Sequence, residues 1–158
     1  MYKRILLAYD GSRQGAIALR EGALLAKNCG AEVFLLSVVP KTAGVLVAEG
    51  VHSGAVAHQI DSYKALLEYA VSRLRGLGFK PVARLVAGEP TPVIAAVARE
   101  ISADLVVVGH RSESMFSRWW SGSTQTYLSD SLECSLLIAR NPLTDEEFEA
   151  KALEGTTA

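Results

Sequence analysis

Apolar residues in this chain follow two rhythms. Short, largely apolar runs, Ile5–Tyr9, Val33–Val39, Pro81–Ala87, Leu105–Val108 and Ser135–Ala139, have the length of buried strands. Longer stretches between them repeat at three- and four-residue steps. From Ser12 as N-cap, Ala16, Leu19, Ala23 and Ala26 form one helical stripe, and Asn28-Cys29-Gly30 stops it because Gly30 can take a left-handed cap. Ile60, Tyr63, Leu67, Ala70, Val71, Leu74 and Leu77 make a second, longer stripe, with Arg73 and Arg75 in its last turn and Gly76 and Gly78 beyond. A third helix is expected with Thr91 as N-cap and Pro92 at the first helical position, burying Val93, Ile94, Val97 and Ile101. A fourth, short one runs from about Ser123 to Leu132.

Five strands separated by helix-length segments require a parallel sheet with helices on both faces, a doubly wound α/β fold. Leu105–Val108 is the most β-branched run and reads as the central strand. The stretch from Pro40 to Gly54 has no period and reads as a surface connection. After Arg140 the character changes. Thr144-Asp145-Glu146-Glu147 is a capping box able to start a short acidic helix, and Glu154–Ala158 is expected to fray. The expected organisation is one domain over 1–140 and an acidic tail over 141–158.

Composition fits a single core: 158 residues, 49% hydrophobic and 21% charged. Sixteen basic against 17 acidic side chains give a net charge of −1, which provides no broad positive field for nucleic acid. The apolar run after Met1-Tyr2-Lys3-Arg4 is too short for a signal peptide or a membrane span, so the expected location is the cytoplasm, without membrane contact. Cys29 and Cys134 stand apart, and His52, His58 and His110 lack zinc spacing, so no metal site is indicated.

In an open parallel sheet, ligands sit beyond the carboxyl ends of the strands where the strand order reverses. That singles out Asp10, Val39-Pro40, Gly88-Glu89 and the long connection from Gly109 to Ser123. Gly122-Ser123-Thr124 opens a helix, where free N–H groups and the helix dipole suit a phosphate; Ser123 acting only as a cap is the simpler alternative. His110, Arg111 and Arg118 can supply charge to an anion there, or can be solvated surface residues. Asp10 can accept from a ribose or base, or only cap the first helix. Trp119-Trp120, with Met115 and Phe116, can cover a ligand, contact another subunit or pack internally. No nucleophile, base and orienting group assemble, so no enzyme activity beyond slow ATP hydrolysis is expected.

Ile5–Ser12, Ala31–Val39, Gly88-Glu89-Pro90 followed by Asp104–Gly109, and Gly122-Ser123 leading to Cys134 and Leu136–Arg140 resemble the universal stress protein family in order, from Tyr2 to Arg140. The resemblance implies a five-stranded parallel sheet in the order 3-2-1-4-5, of the adenine nucleotide alpha hydrolase type, and usually a homodimer. ATP-binding members resemble G-x2-G-x9-G-[ST]. Here Gly109, His110-Arg111, Ser112, the nine residues Glu113–Ser121 and Gly122-Ser123 keep that spacing, with Ser112 in place of the second glycine. A Cβ there costs ~1 kcal/mol if the loop needs positive φ.

By position, the resemblance implies that Asp10 meets ribose or adenine and that Val38 meets adenine through its backbone. Gly109, Ser112, Gly122, Ser123 and Thr124 would hold the phosphates, and Ala8 and Tyr9 would line the cleft; to these the charge of Arg111 adds a further candidate for the anion. The expected ligand is ATP or AMP, with magnesium, in a stress-response regulator that dimerises through the last strand, Ser135–Ala139, and reports to a protein partner. The alternative is a nucleotide-free interaction module in which Ser112 and the tryptophan pair replace the phosphate cradle.

Overall fold

The computed structural model describes residues 1–40, 53–110 and 127–154. Its elements, in chain order, are β1 (Arg4–Ala8), α1 (Arg13–Cys29), β2 (Glu32–Pro40), α2 (Ser53–Gly76), β3 (Val82–Gly88), α3 (Pro90–Glu100), β4 (Leu105–Gly109), α4 (Leu128–Ser131), β5 (Ser135–Ala139) and α5 (Asp145–Leu153). All pairings are parallel and the sheet order is β3-β2-β1-β4-β5, so β1, not the more β-branched β4, is the central strand, β2 and β4 flank it, and β3 and β5 are the edges.

Alternation along the strands divides the core in two. Ile5, Leu7, Tyr9, Val33, Leu35, Leu105 and Val107 pack beneath α1, α2 and α5. Leu6, Ala8, Leu36, Val38, Val106 and Val108 pack beneath α3 and α4. Burial on both faces is why the interior strands β1, β2 and β4 read as largely apolar runs in sequence. Asp104 ties the start of β4 to the start of β1, its carboxylate accepting from the N–H groups of Lys3 (2.8 Å) and Arg4 (3.2 Å).

Helix termini follow local chemistry. Ser12 caps α1 by accepting from Gly15 N–H, and Gly30 closes it at φ 62°. α3 departs from expectation: its N-cap is Glu89 and Pro90 is the first helical residue. A residue before proline is pushed to extended geometry, and Glu89 adopts φ −76°, ψ 129°. Pro90 and Pro92 then both fall in the first turn, where a missing N–H costs no intrahelical bond. α4 spans only Leu128–Ser131, and Leu132 is already extended; residues 123–126 lie outside the described residues. Along α2, Leu67, Ala70 and Leu74 are buried, but Ile60 faces out.

The segment after Arg140 folds back onto the domain. Thr144 and Glu147 form the capping box of α5, and Phe148 and Ala152 are buried against the α1/α2 side of the core. The Phe148 ring stacks on Phe79 with centroids 6.2 Å apart. Asp145 pairs with both Arg20 (2.8 Å) and Arg73 (3.0 Å), and Glu149 pairs with Arg73. At the other end of α5, the Lys27 ammonium donates to the carbonyls of Lys151, Ala152 and Glu154, the groups a helix C-terminus leaves without partners.

Among the described residues, no helix is long and apolar enough to cross a membrane.

Candidate functional site

The chain leaves β1 towards β2 and β3, then returns to add β4 and β5 on the other side, so the order reverses between β1 and β4. The crevice beyond their carboxyl ends is where this sheet can receive a ligand. Leu7 pairs with Val107, which sets Ala8 and Tyr9 alongside Val108 and Gly109 at that end.

Asp10 is the first residue past β1. Its Oδ1 accepts from the Ser12 N–H at 3.0 Å and from the Ser12 hydroxyl at 2.6 Å, and that hydroxyl in turn accepts from Gly15 N–H at 3.0 Å. Gly11 makes the turn at φ 76°, a backbone region that disfavours side chains. A half-buried carboxylate is thus fixed over the first turn of α1, whose dipole favours negative charge there. Gly15 makes room for it: a Cβ at residue 15 would lie 2.5 Å from Asp10 Oδ1. Neither Ser12's link to Asp10 nor this need for Gly15 is visible in the sequence beyond the N-cap itself.

Gly109 closes the other wall. A Cβ there would collide with the backbone of Gln14 and Gly15, so β4 ends pressed against the first turn of α1. One tight stack, Gly109 on Gly15 and Gly15 on Asp10, therefore joins the two strand ends. The ladder continues one step past β4, where His110 N–H donates to the Ala139 carbonyl.

On the β2 side, Tyr9 N–H donates to the Leu36 carbonyl at 2.8 Å, and the Ser37 hydroxyl donates to the Tyr9 carbonyl at 2.6 Å. Ser37 is the one buried polar side chain among the described residues. Val38 is buried under α3, so it can meet a ligand only through its main chain.

Of the residues singled out in the sequence, Ala8, Asp10, Val38 and Gly109 come together at this end of the sheet. Tyr9 does so through its backbone alone, since its ring lies on the opposite face, among the α1/α2 residues. Burial, and next the charge of Asp10, push the Tyr9 phenol up, so it stays protonated at neutral pH and cannot act as a base. Burial likewise raises the Cys134 thiol, with Asp104 adding to it, which makes that sulfur a poor nucleophile. Arg111, Ser112, Gly122, Ser123 and Thr124 lie outside the described residues, as do Met115, Phe116, Arg118, Trp119 and Trp120. Among the described residues no cluster of metal-ligating side chains occurs. A groove of about 580 Å³ lined by Lys27, Phe79 and Lys80 sits at the amino end of the sheet, the wrong end for ligand binding in this architecture.

Comparison with known proteins gives concordant results. The model of the universal stress protein family matches residues 1–140. The universal stress protein YxiE of Bacillus subtilis is 30% identical over 151 residues, covering 89% of this chain and all of that one. A universal stress protein solved in complex with cAMP aligns with a TM-score of 0.65 at 21% identity, covering 88% of this chain and 97% of the other. The universal stress protein from Archaeoglobus fulgidus in complex with dAMP aligns with a TM-score of 0.58 at 21% identity, covering 88% and 98%.

Proposed function

Because this chain belongs to the universal stress protein family, we propose that it binds an adenine nucleotide, ATP or AMP, in the crevice between β1 and β4, and that occupancy serves regulation rather than metabolism. The observation that carries this reading is Asp10: a carboxylate fixed by Ser12 at the strand-order reversal, in the position to accept from ribose or base hydrogens. The cAMP and dAMP complexes of proteins with the same fold support it. In this reading Val38 presents its main chain to the adenine. Gly109, Ser112, Gly122, Ser123 and Thr124, with Arg111, would hold the phosphates, and magnesium would accompany the nucleotide.

The assembly proposed with it is a homodimer through β5. That strand is an edge, its Ile138 is 42% exposed, and Leu136 and Leu137 are half-buried, a face suited to pairing with a second copy. A regulatory protein partner would read the occupied state.

Thermal melting tests the ligand. At ligand about 100-fold above Kd, binding to the folded state alone adds about 2.7 kcal/mol. For a chain of this size that is a rise in Tm of roughly 5–10 °C. Asp10→Asn, which keeps an acceptor for Ser12 and removes the charge, is expected to weaken ATP binding by about 1.5–3 kcal/mol, the range for hydrogen bonds to charged groups. The proposal fails if millimolar ATP with magnesium leaves Tm unmoved and no nucleotide is released when the purified protein is denatured.

A further inference from the structure

Ser37 stands where the β1–β2 ladder stops. The last register pair is Ala8 with Leu36, and Tyr9 N–H still reaches the Leu36 carbonyl. In a parallel ladder the next rung would run from Val38 N–H to the Tyr9 carbonyl. At that carbonyl stands the Ser37 hydroxyl, donating at 2.6 Å. β2 itself continues, pairing with β3 as far as Pro40 and Gly88. The two strands therefore part at this point, and a side chain rather than the main chain makes the final link.

The parting has a directional consequence. Backbone groups of successive strand residues alternate sides, so Val38 faces the same side as Leu36, towards β1. Because the strands part at Tyr9, where the Ser37 hydroxyl rather than Val38 N–H makes the link, the main chain of Val38 is directed at the mouth of the crevice rather than drawn into a rung. The planar trans peptide also turns the Asp10 N–H away from β2 and towards β4.

We propose that Ser37 is a positioning residue: its hydroxyl caps the β1 ladder at Tyr9 and so keeps the Val38 main chain turned to an adenine base. This rests on the nucleotide reading above. A hydroxyl buried at 1% exposure in the otherwise apolar stretch Val33–Val39 is difficult to account for by packing alone, since alanine would fill nearly the same space without a polar group to satisfy.

Ser37→Ala removes the side-chain link and leaves the Tyr9 carbonyl short of a donor, so that closing Val38 N–H onto it, which lengthens the ladder by one rung, becomes favourable. AMP affinity should then fall roughly tenfold, the equivalent of one hydrogen bond. Hydrogen exchange of the Val38 amide should slow while that of Leu6 and Leu7 is unchanged. Ser37→Thr, which keeps the hydroxyl, should restore both. Ser37→Cys, of similar volume and with a much weaker donor, supplies the same comparison if alanine unsettles the fold. Unchanged AMP affinity in a variant lacking the hydroxyl, with the parent protein binding AMP, overturns the inference and leaves the nucleotide reading standing. So does a Val38 amide that exchanges as before. If the parent protein binds no AMP, the nucleotide reading itself is wrong and the positioning role goes with it.

Discussion

Phe148→Ala is expected to destabilise the protein by about 3–5 kcal/mol, the range for emptying a fully buried phenylalanine site. For a chain of 158 residues this corresponds to a fall in Tm of roughly 6–20 °C. The reason lies in what α5 covers. Phe148 is 1% exposed, stacks on Phe79 beyond the end of α2, and shares a cluster with Leu19, Ala23 and Leu74. Removing the ring opens a cavity between α1, α2 and α5 that rigid helices cannot close. By contrast, Asp145→Ala breaks pairs with Arg20 and Arg73 whose partners are partly exposed, and such pairs are each worth about 1 kcal/mol or less. Melting the two variants side by side separates an α5 held by its apolar face from one held by charge. An Asp145→Ala loss as large as that of Phe148→Ala would reverse this ranking.

Gly109→Ala is expected to cost about 1–3 kcal/mol in the absence of any nucleotide, as overpacking does. The added Cβ meets the Gln14 and Gly15 main chain, which cannot rotate away as a side-chain end can. Either β4 moves off α1 or α1 tilts, and both disturb the Gly15–Asp10 contact. Gly76→Ala is the control. A Cβ there meets nothing within 4 Å, and alanine at a helix end should be neutral or slightly stabilising. The measurement is denaturant unfolding of ligand-free protein. A Gly109→Ala variant as stable as the parent would mean that this glycine serves the ligand alone and the close approach to α1 is not needed.

These two residues mark what the sequence could and could not express. Largely apolar runs, the Ser12 cap and the Gly30 stop are local signals, and they located the strands and the first helix to within a residue or two. Thr91 followed by Pro92 reads as a helix start in the sequence, but β3 ends at Gly88 and the helix begins at Pro90, which makes Glu89 the cap and puts both prolines in the first turn. The tail shows a capping box and a charge pattern. Nothing local says that Phe148 reaches Phe79, a partner 69 positions earlier in the chain.

The site shows the same division. Asp10 and Gly109 stand out because each follows a strand. The reason Gly109 must be glycine is a helix backbone almost 100 residues away in sequence, and Ser37 reads simply as one polar residue inside an apolar run. Contacts between elements, not propensities, give these residues their roles.

The most direct test of the account is an amide chemical-shift titration of the full chain with AMP. A nucleotide in the β1–β4 crevice should give saturable shifts at Asp10, Gly11 and Ser12, at Val38 and Val39, and at Gly109 and His110, leaving the amides of α5 and of β3 near Val82 unmoved. Shifts that do not saturate, or that cluster at the groove around Lys27 and Lys80 instead, would contradict it.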